Sequence, residues 1–152
     1  MTLLVLSLLQ GVFLYIKLNN QVVKNHKNFY QLEAMAYKLA MKKDGLASSD
    51  CIMTETNPNQ IVDLLLAKQG CTLTDNNQNY HYLIDDLGLY PCLQVQEDKT
   101  IYSSHHWLIS VATFLPHQAI LQLRIAKPDR AITCERPEVH IINSGVISWR
   151  YL

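Results

Sequence analysis

Residues 1–16 read MTLLVLSLLQGVFLYI, an uncharged run in which only Thr2, Ser7, Gln10 and Gly11 interrupt apolar side chains. Charge first appears at Lys17. From there the apolar residues thin to one stripe, Tyr15, Leu18, Val22, Phe29, Leu32, Ala36 and Leu39, spaced by threes and fours with Asn25 as its single polar member. That spacing is one face of a helix. Lys17, Lys24, Lys27, Lys38 and Lys42 mostly fall elsewhere, no proline occurs before Pro58, and Gly11 is the only glycine before Gly45. The reading is one helix of roughly 43 residues, about 65 Å long, ended at Asp44-Gly45 because glycine is favoured just past a helix terminus.

Such a helix is longer than the rest of the chain can cover. The apolar side chains of Met1, Leu3, Leu4, Val5, Leu6, Leu8, Leu9, Val12, Phe13, Leu14 and Ile16 are therefore expected in lipid or against other subunits. A lone spanning helix needs about 20 apolar residues; the run is shorter, although Leu18, Val22 and Val23 continue one face. Leu18, Val22, Phe29, Leu32, Ala36 and Leu39 are expected to pack on a C-terminal domain. The chain thus divides at residues 1–45 and 46–152.

The second part opens with a polar stretch, after which Asn57 as N-cap, Pro58 in the first turn and Gly70 as terminator define a short helix over 58–69. Residues 71–79, CTLTDNNQN, read as a loop. Strand patterns follow over 80–151: YHYLI, a DDLG turn, LYPCLQV, a QEDK turn, HWLISVATFL, a break at Pro116-His117, AILQLRIAK, VHIIN and VISWRY. In AILQLRIAK the alternation places Gln122 and Arg124 outward. Short turns between neighbours predict an antiparallel meander with one wet face, its other face covered by the striped half of the long helix. The fold class expected is α+β.

With 152 residues the chain suits one domain. Thirteen basic and thirteen acidic residues give zero net charge, which provides no electrostatic footprint for nucleic acid. Four cysteines, Cys51, Cys71, Cys92 and Cys134, all follow the long helix, and none forms a CxxC or a zinc-type cluster with histidine. An even count in a small domain behind an apolar segment points to an oxidising compartment and two disulfides. Sequence does not determine their connectivity; the expected pairing is Cys51–Cys71 and Cys92–Cys134. A catalytic search finds no GxSxG, phosphate-binding glycine loop or HExxH. His105-His106 would point to opposite faces of a strand and could not chelate one ion, and Asp85-Asp86 more commonly cap turn amides than bind calcium. No enzyme activity, cofactor or metal is expected.

This organisation resembles the type IV pilins and the pseudopilins of type II secretion. MTLLVLSLLQGVFLYI followed by NFYQLEAMAYKLA is similar to PilX-type minor pilins, with Phe29, Tyr30, Glu33, Ala34 and Leu39 matching an aromatic-x-x-Glu-Ala segment. The resemblance implies a pilin-like fold, a long helix on an antiparallel sheet, and a structural subunit that initiates or caps a filament. Its partners would be other minor pilins and a major pilin through the N-terminal helix, with the inner membrane as a station before an extracellular filament. Val5 departs from the glutamate that major pilins carry at the fifth position, which favours a place at the tip over the shaft. No basic leader precedes Met1, and Lys17, Lys24 and Lys27 would draw the C-terminal part to the cytoplasm by the positive-inside tendency; a leader removed by processing restores an outward domain. The alternative is a membrane-anchored accessory or receptor domain of an envelope complex.

Overall fold

The computed structural model describes residues 2–41, 51–54, 57–97, 99–114, 118–130, 133–135 and 138–152; for residues 2–9, 11, 24, 25 and 58 it describes the backbone alone. Helix α1 runs unbroken over Thr2–Met41, about 60 Å at 1.5 Å per residue. Met1 and the terminator expected at Asp44-Gly45 lie outside the described residues.

Among the described side chains of α1, only those of its last third are packed. Leu32, Met35, Ala36, Leu39 and Ala40 are buried in one cluster with Tyr80, Ile84, Ile109, Val111, Leu121, Leu123 and Ile125, and Phe29 sits at its margin. Leu18 and Val22, expected on the sheet, are instead 62% and 51% exposed. The helix has overshot the sheet before it reaches them, so a stripe legible in sequence runs on past the surface able to receive it.

Among the described residues seven strands form the sheet: β1 (Ile52–Thr54), β2 (Cys71–Asp75), β3 (Gln78–Glu97), β4 (Thr100–Thr113), β5 (Ala119–Pro128), β6 (His140–Ile142) and β7 (Gly145–Tyr151). The main path is β1-β3-β4-β5-β7, with β2 and β6 also on β3. The meander β3-β4-β5 is antiparallel as expected, but the sheet is mixed, because β1 and β6 run parallel to β3. Residues 71–79 are no loop: β2 pairs with the start of β3 around Asn76 and Asn77, both at positive φ, the geometry of a type I′ hairpin turn, which asparagine tolerates. Nor does DDLG turn the chain. It is absorbed into β3 as a register shift between Asp86 and Gly88 opposite β4, a bulge that bends the strand without ending it.

Helix α2, Pro58–Leu66, is capped by Asn57, whose Oδ1 accepts from the Asn59 amide at 3.0 Å. It stops short of Gln69 because Lys68 and Gly70 take positive φ. Gly70 is required there: a Cβ would lie 2.8 Å from the Tyr82 carbonyl oxygen. Ile61 and Leu65 of α2 pack with Leu83, Ala112 and Ile120 on the sheet face away from α1. The second face is therefore partly covered rather than wet, and Gln122, expected outward, is 1% exposed.

Two disulfides join Cys51 to Cys71, with Cα atoms 5.8 Å apart, and Cys92 to Cys134, 4.8 Å apart, the pairing expected. The first binds β1 to β2 where both flank β3; the second binds β3 to the segment leading into β6.

Candidate functional site

Among the described residues, α1 carries a run of exposed large apolar side chains. Val12, Phe13, Leu14, Tyr15, Ile16, Leu18, Val22 and Val23 are each between 51% and 69% exposed. Val12, Phe13, Leu14 and Ile16 thus stand as expected, uncovered by the domain. Leu3, Leu4, Val5, Leu6, Leu8 and Leu9 lie on the same helix, but their side chains, like Met1, lie outside the described residues. Large exposed apolar patches commonly mark interaction sites.

The change from exposed to packed helix occurs at Asn28, which is 8% exposed, and at an aromatic junction. The Phe29 ring meets Trp149 at 5.6 Å and Tyr151 at 5.5 Å, both edge-on, and Tyr30 at 5.8 Å. Edge-to-face rings at these separations attract beyond simple area burial. Two grooves flank the helix here. One, of about 770 Å³, is bounded by Val22, Phe29 and Gln118 among others; the second, of about 540 Å³, lies toward the β2–β3 turn and includes Val23, Met35 and Tyr80. His26 and Tyr30 line both. Lys38 Nζ meets Asp75 Oδ1 at 3.0 Å beyond them. Sequence reasoning did not place Trp149 and Tyr151 at this junction, although their alternation in VISWRY is the signal that puts both on one strand face.

The histidine pair is split between the faces of β4, as expected. His105 Nε2 lies 2.5 Å from Asp86 Oδ1 and its Nδ1 3.3 Å from Asp129 Oδ2, with the ring stacked on Trp107 at 4.1 Å. Asp86 Oδ1 also accepts from the Gly88 amide at 2.8 Å, the capping role expected of it.

His106 is 1% exposed and joins a line of hydrogen bonds across three strands. Arg124 Nε–H donates to its Nδ1 at 3.1 Å, which assigns the ring proton to Nε2; that proton faces Ser104 Oγ at 2.7 Å, whose hydroxyl donates to the Leu93 carbonyl at 2.5 Å. Tyr90 packs over the imidazole, ring centres 4.4 Å apart. In this tautomer His106 is no base for Ser104, and the serine hydroxyl is committed to a carbonyl, so the pair has no nucleophilic arrangement. A second line runs from Arg150 Nε to Gln122 Oε1 at 2.5 Å and from Gln122 Nε2 to Ser110 Oγ at 3.0 Å. Both lines bind strands together.

Burial, then the Arg124 and His105 charges, push the His106 pKa down to about 4. An unfolded histidine takes up its proton near pH 6.5, so between those values the unfolded state binds more protons and stability falls as pH falls. We expect about 2–3 kcal/mol to be lost between pH 7 and pH 4 through this residue. Urea unfolding across that range tests it: His106→Gln, which can still accept from Arg124 and donate to Ser104, should show a flatter profile than the native chain. Equal slopes would remove His106 as the cause.

Among the described residues, no group of three or more His, Cys, Asp or Glu is placed to hold a metal ion, and no helix is long and apolar enough to cross a membrane. The chain matches no family model, no curated protein and no solved structure.

Proposed function

We propose that this protein is a structural subunit of a type IV pilus-like filament, a minor pilin or pseudopilin. The observation that carries the reading is the exposure of α1 from Val12 to Val23 on a helix whose packing on the sheet begins only near Asn28. Full burial of a large apolar side chain is worth about 1.5–3 kcal/mol, and these side chains, half to two-thirds exposed, forgo a good part of it. Eight together make a helix fit to pack among other helices. The two disulfides support an oxidising location for the domain. Partners would be other minor pilins and a major pilin, met through residues 1–25, with the inner membrane holding the helix before assembly and the domain on its periplasmic side.

Val5 supports a tip position. Where major subunits place a carboxylate against a neighbour's terminal amine, valine leaves that amine unpaired in an apolar bundle, a cost of several kcal/mol. A subunit of this kind initiates or caps a filament better than it repeats along it.

The test is to place single cysteines at Leu18 and Val22 in the full chain and cross-link purified filaments. Bonds to neighbouring subunits' helices, with the chain scarce relative to the major subunit and its mature N-terminus methylated, are expected. A chain absent from filaments, or as abundant as the major subunit, overturns filament membership or tip placement respectively.

A further inference from the structure

The two flanks of the sheet are treated differently. The outer edge of β3 is met in succession by β2, β1 and β6, and two of these three are only three residues long; very short edge strands are one way proteins blunt an edge. At the other flank β7 ends the path, and among the described residues nothing pairs with its outer edge. It carries no proline and no lysine, and its one irregularity lies at its start, opposite Arg124 and Ile125. From Ser148 onward it is regular, and the pairing continues just past its end: Leu152 N donates to Ile120 O at 2.8 Å and Ile120 N to Leu152 O at 3.1 Å.

That pair fixes which backbone groups face outward. In an antiparallel ladder, alternate residues direct both N–H and C=O to the same neighbour. Leu152 faces β5, and so do Arg150 and Ser148; Trp149 and Tyr151 present their N–H and C=O groups to the open side. Their side chains lie toward α1 against Phe29 yet are 57% and 45% exposed. Arg150, whose Nε is held by Gln122, is exposed on the opposite face.

We propose that β7 is a docking edge that takes one extended strand from a different protein subunit, reading apolar-acidic-apolar opposite Trp149, Arg150 and Tyr151. The free backbone groups require an extended partner. The exposed aromatic rings favour apolar residues at the two positions beside them, and the arginine favours a carboxylate between. A second copy of β7 fits poorly: the antiparallel register that uses Trp149 and Tyr151 of both copies sets Arg150 directly opposite Arg150, and like charges so placed are destabilising. This docking rests on β7 alone and holds whether or not the chain enters a filament.

The probe is a blocked peptide of alternating valine and threonine with a central glutamate, added to the full-length chain in detergent while amide exchange is followed. We expect slowed exchange at Trp149 and Tyr151. Tyr151→Pro removes an outward N–H, a place where an edge strand accepts proline, and should weaken binding about tenfold; Tyr151→Ala, which keeps the N–H, should bind more tightly than Tyr151→Pro. A central lysine in the peptide should weaken binding as well. No protection of these amides at high peptide concentration in a folded chain overturns the proposal. So does concentration-dependent protection without peptide, which would make the occupant a second copy, and so does equal binding by the proline and alanine variants.

Discussion

Leu32→Ala is expected to destabilise the domain by about 2–5 kcal/mol, the range for removing a fully buried leucine and leaving a cavity. Leu32 is 0% exposed between α1 and the sheet, in contact with the cluster that includes Ile109, Leu121 and Leu123. Leu18→Ala, on the same helix stripe but 62% exposed, is expected to change stability by no more than about 0.5 kcal/mol. Chemical unfolding of the two variants side by side measures the difference. The pair also separates folding from assembly: if α1 serves as a filament helix, Leu18→Ala should impair incorporation while leaving the domain as stable as before. Equal destabilisation by both would mean that the domain covers far more of the helix than the packing near Asn28 allows.

Loss of either disulfide is the second large effect. Closing loops with sequence separations of 20 and 42 residues restricts the unfolded chain and stabilises by roughly 3–4 kcal/mol each in the chain-entropy account. For a domain of this size that is a large share of the total, since native stabilities run about 5–15 kcal/mol. Cys92→Ala with Cys134→Ala should therefore lower both the unfolding midpoint and the steady-state level, and Cys51→Ala with Cys71→Ala should do so slightly less because its loop is shorter. Four free thiols in protein purified without reductant would contradict both bridges and the oxidising compartment argued from them.

Some of this architecture was readable from residue order and some was not. The long helix was legible because its stripe keeps its period from Tyr15 to Leu39, with Asn25 its single polar member, and neither proline nor glycine breaks it after Gly11. Its overshoot was legible from length alone. Where packing begins was not, since Leu18 and Leu32 carry the same letter and period and differ only in whether a sheet lies beneath them. β6 was read in VHIIN, but β1 pairs over only three residues, too few to leave a period, and the parallel pairing of both to β3 depends on contacts between segments distant in sequence. Asp85-Asp86-Leu87-Gly88 carries turn chemistry, yet the strand continues because β4 supplies partners on both sides of the bulge. Gln122 looked outward by alternation; it is buried because Arg150 and Ser110 satisfy its amide, and a buried amide with partners costs little. The exposure of Val12, Phe13, Leu14 and Ile16 was expected from sequence and that of Leu18 and Val22 was not, and the aromatic junction with β7 needed the fold.

The position of β7 has a consequence for how the chain reaches its native state. β3-β4 and β4-β5 join neighbours in sequence and require only short loops to close, so they can form early. β7 is made after β5 and β6 and joins at the far flank of the sheet. Until it docks, β5 is the terminal strand, and its AILQLRIA run lies open along the edge with apolar residues at most positions. An unpaired apolar strand of that length invites wrong pairing with other chains. The interval between completion of β5 and arrival of Tyr151 is therefore the aggregation-sensitive stage of biogenesis, and chains cut short after about residue 130 would be held in it permanently.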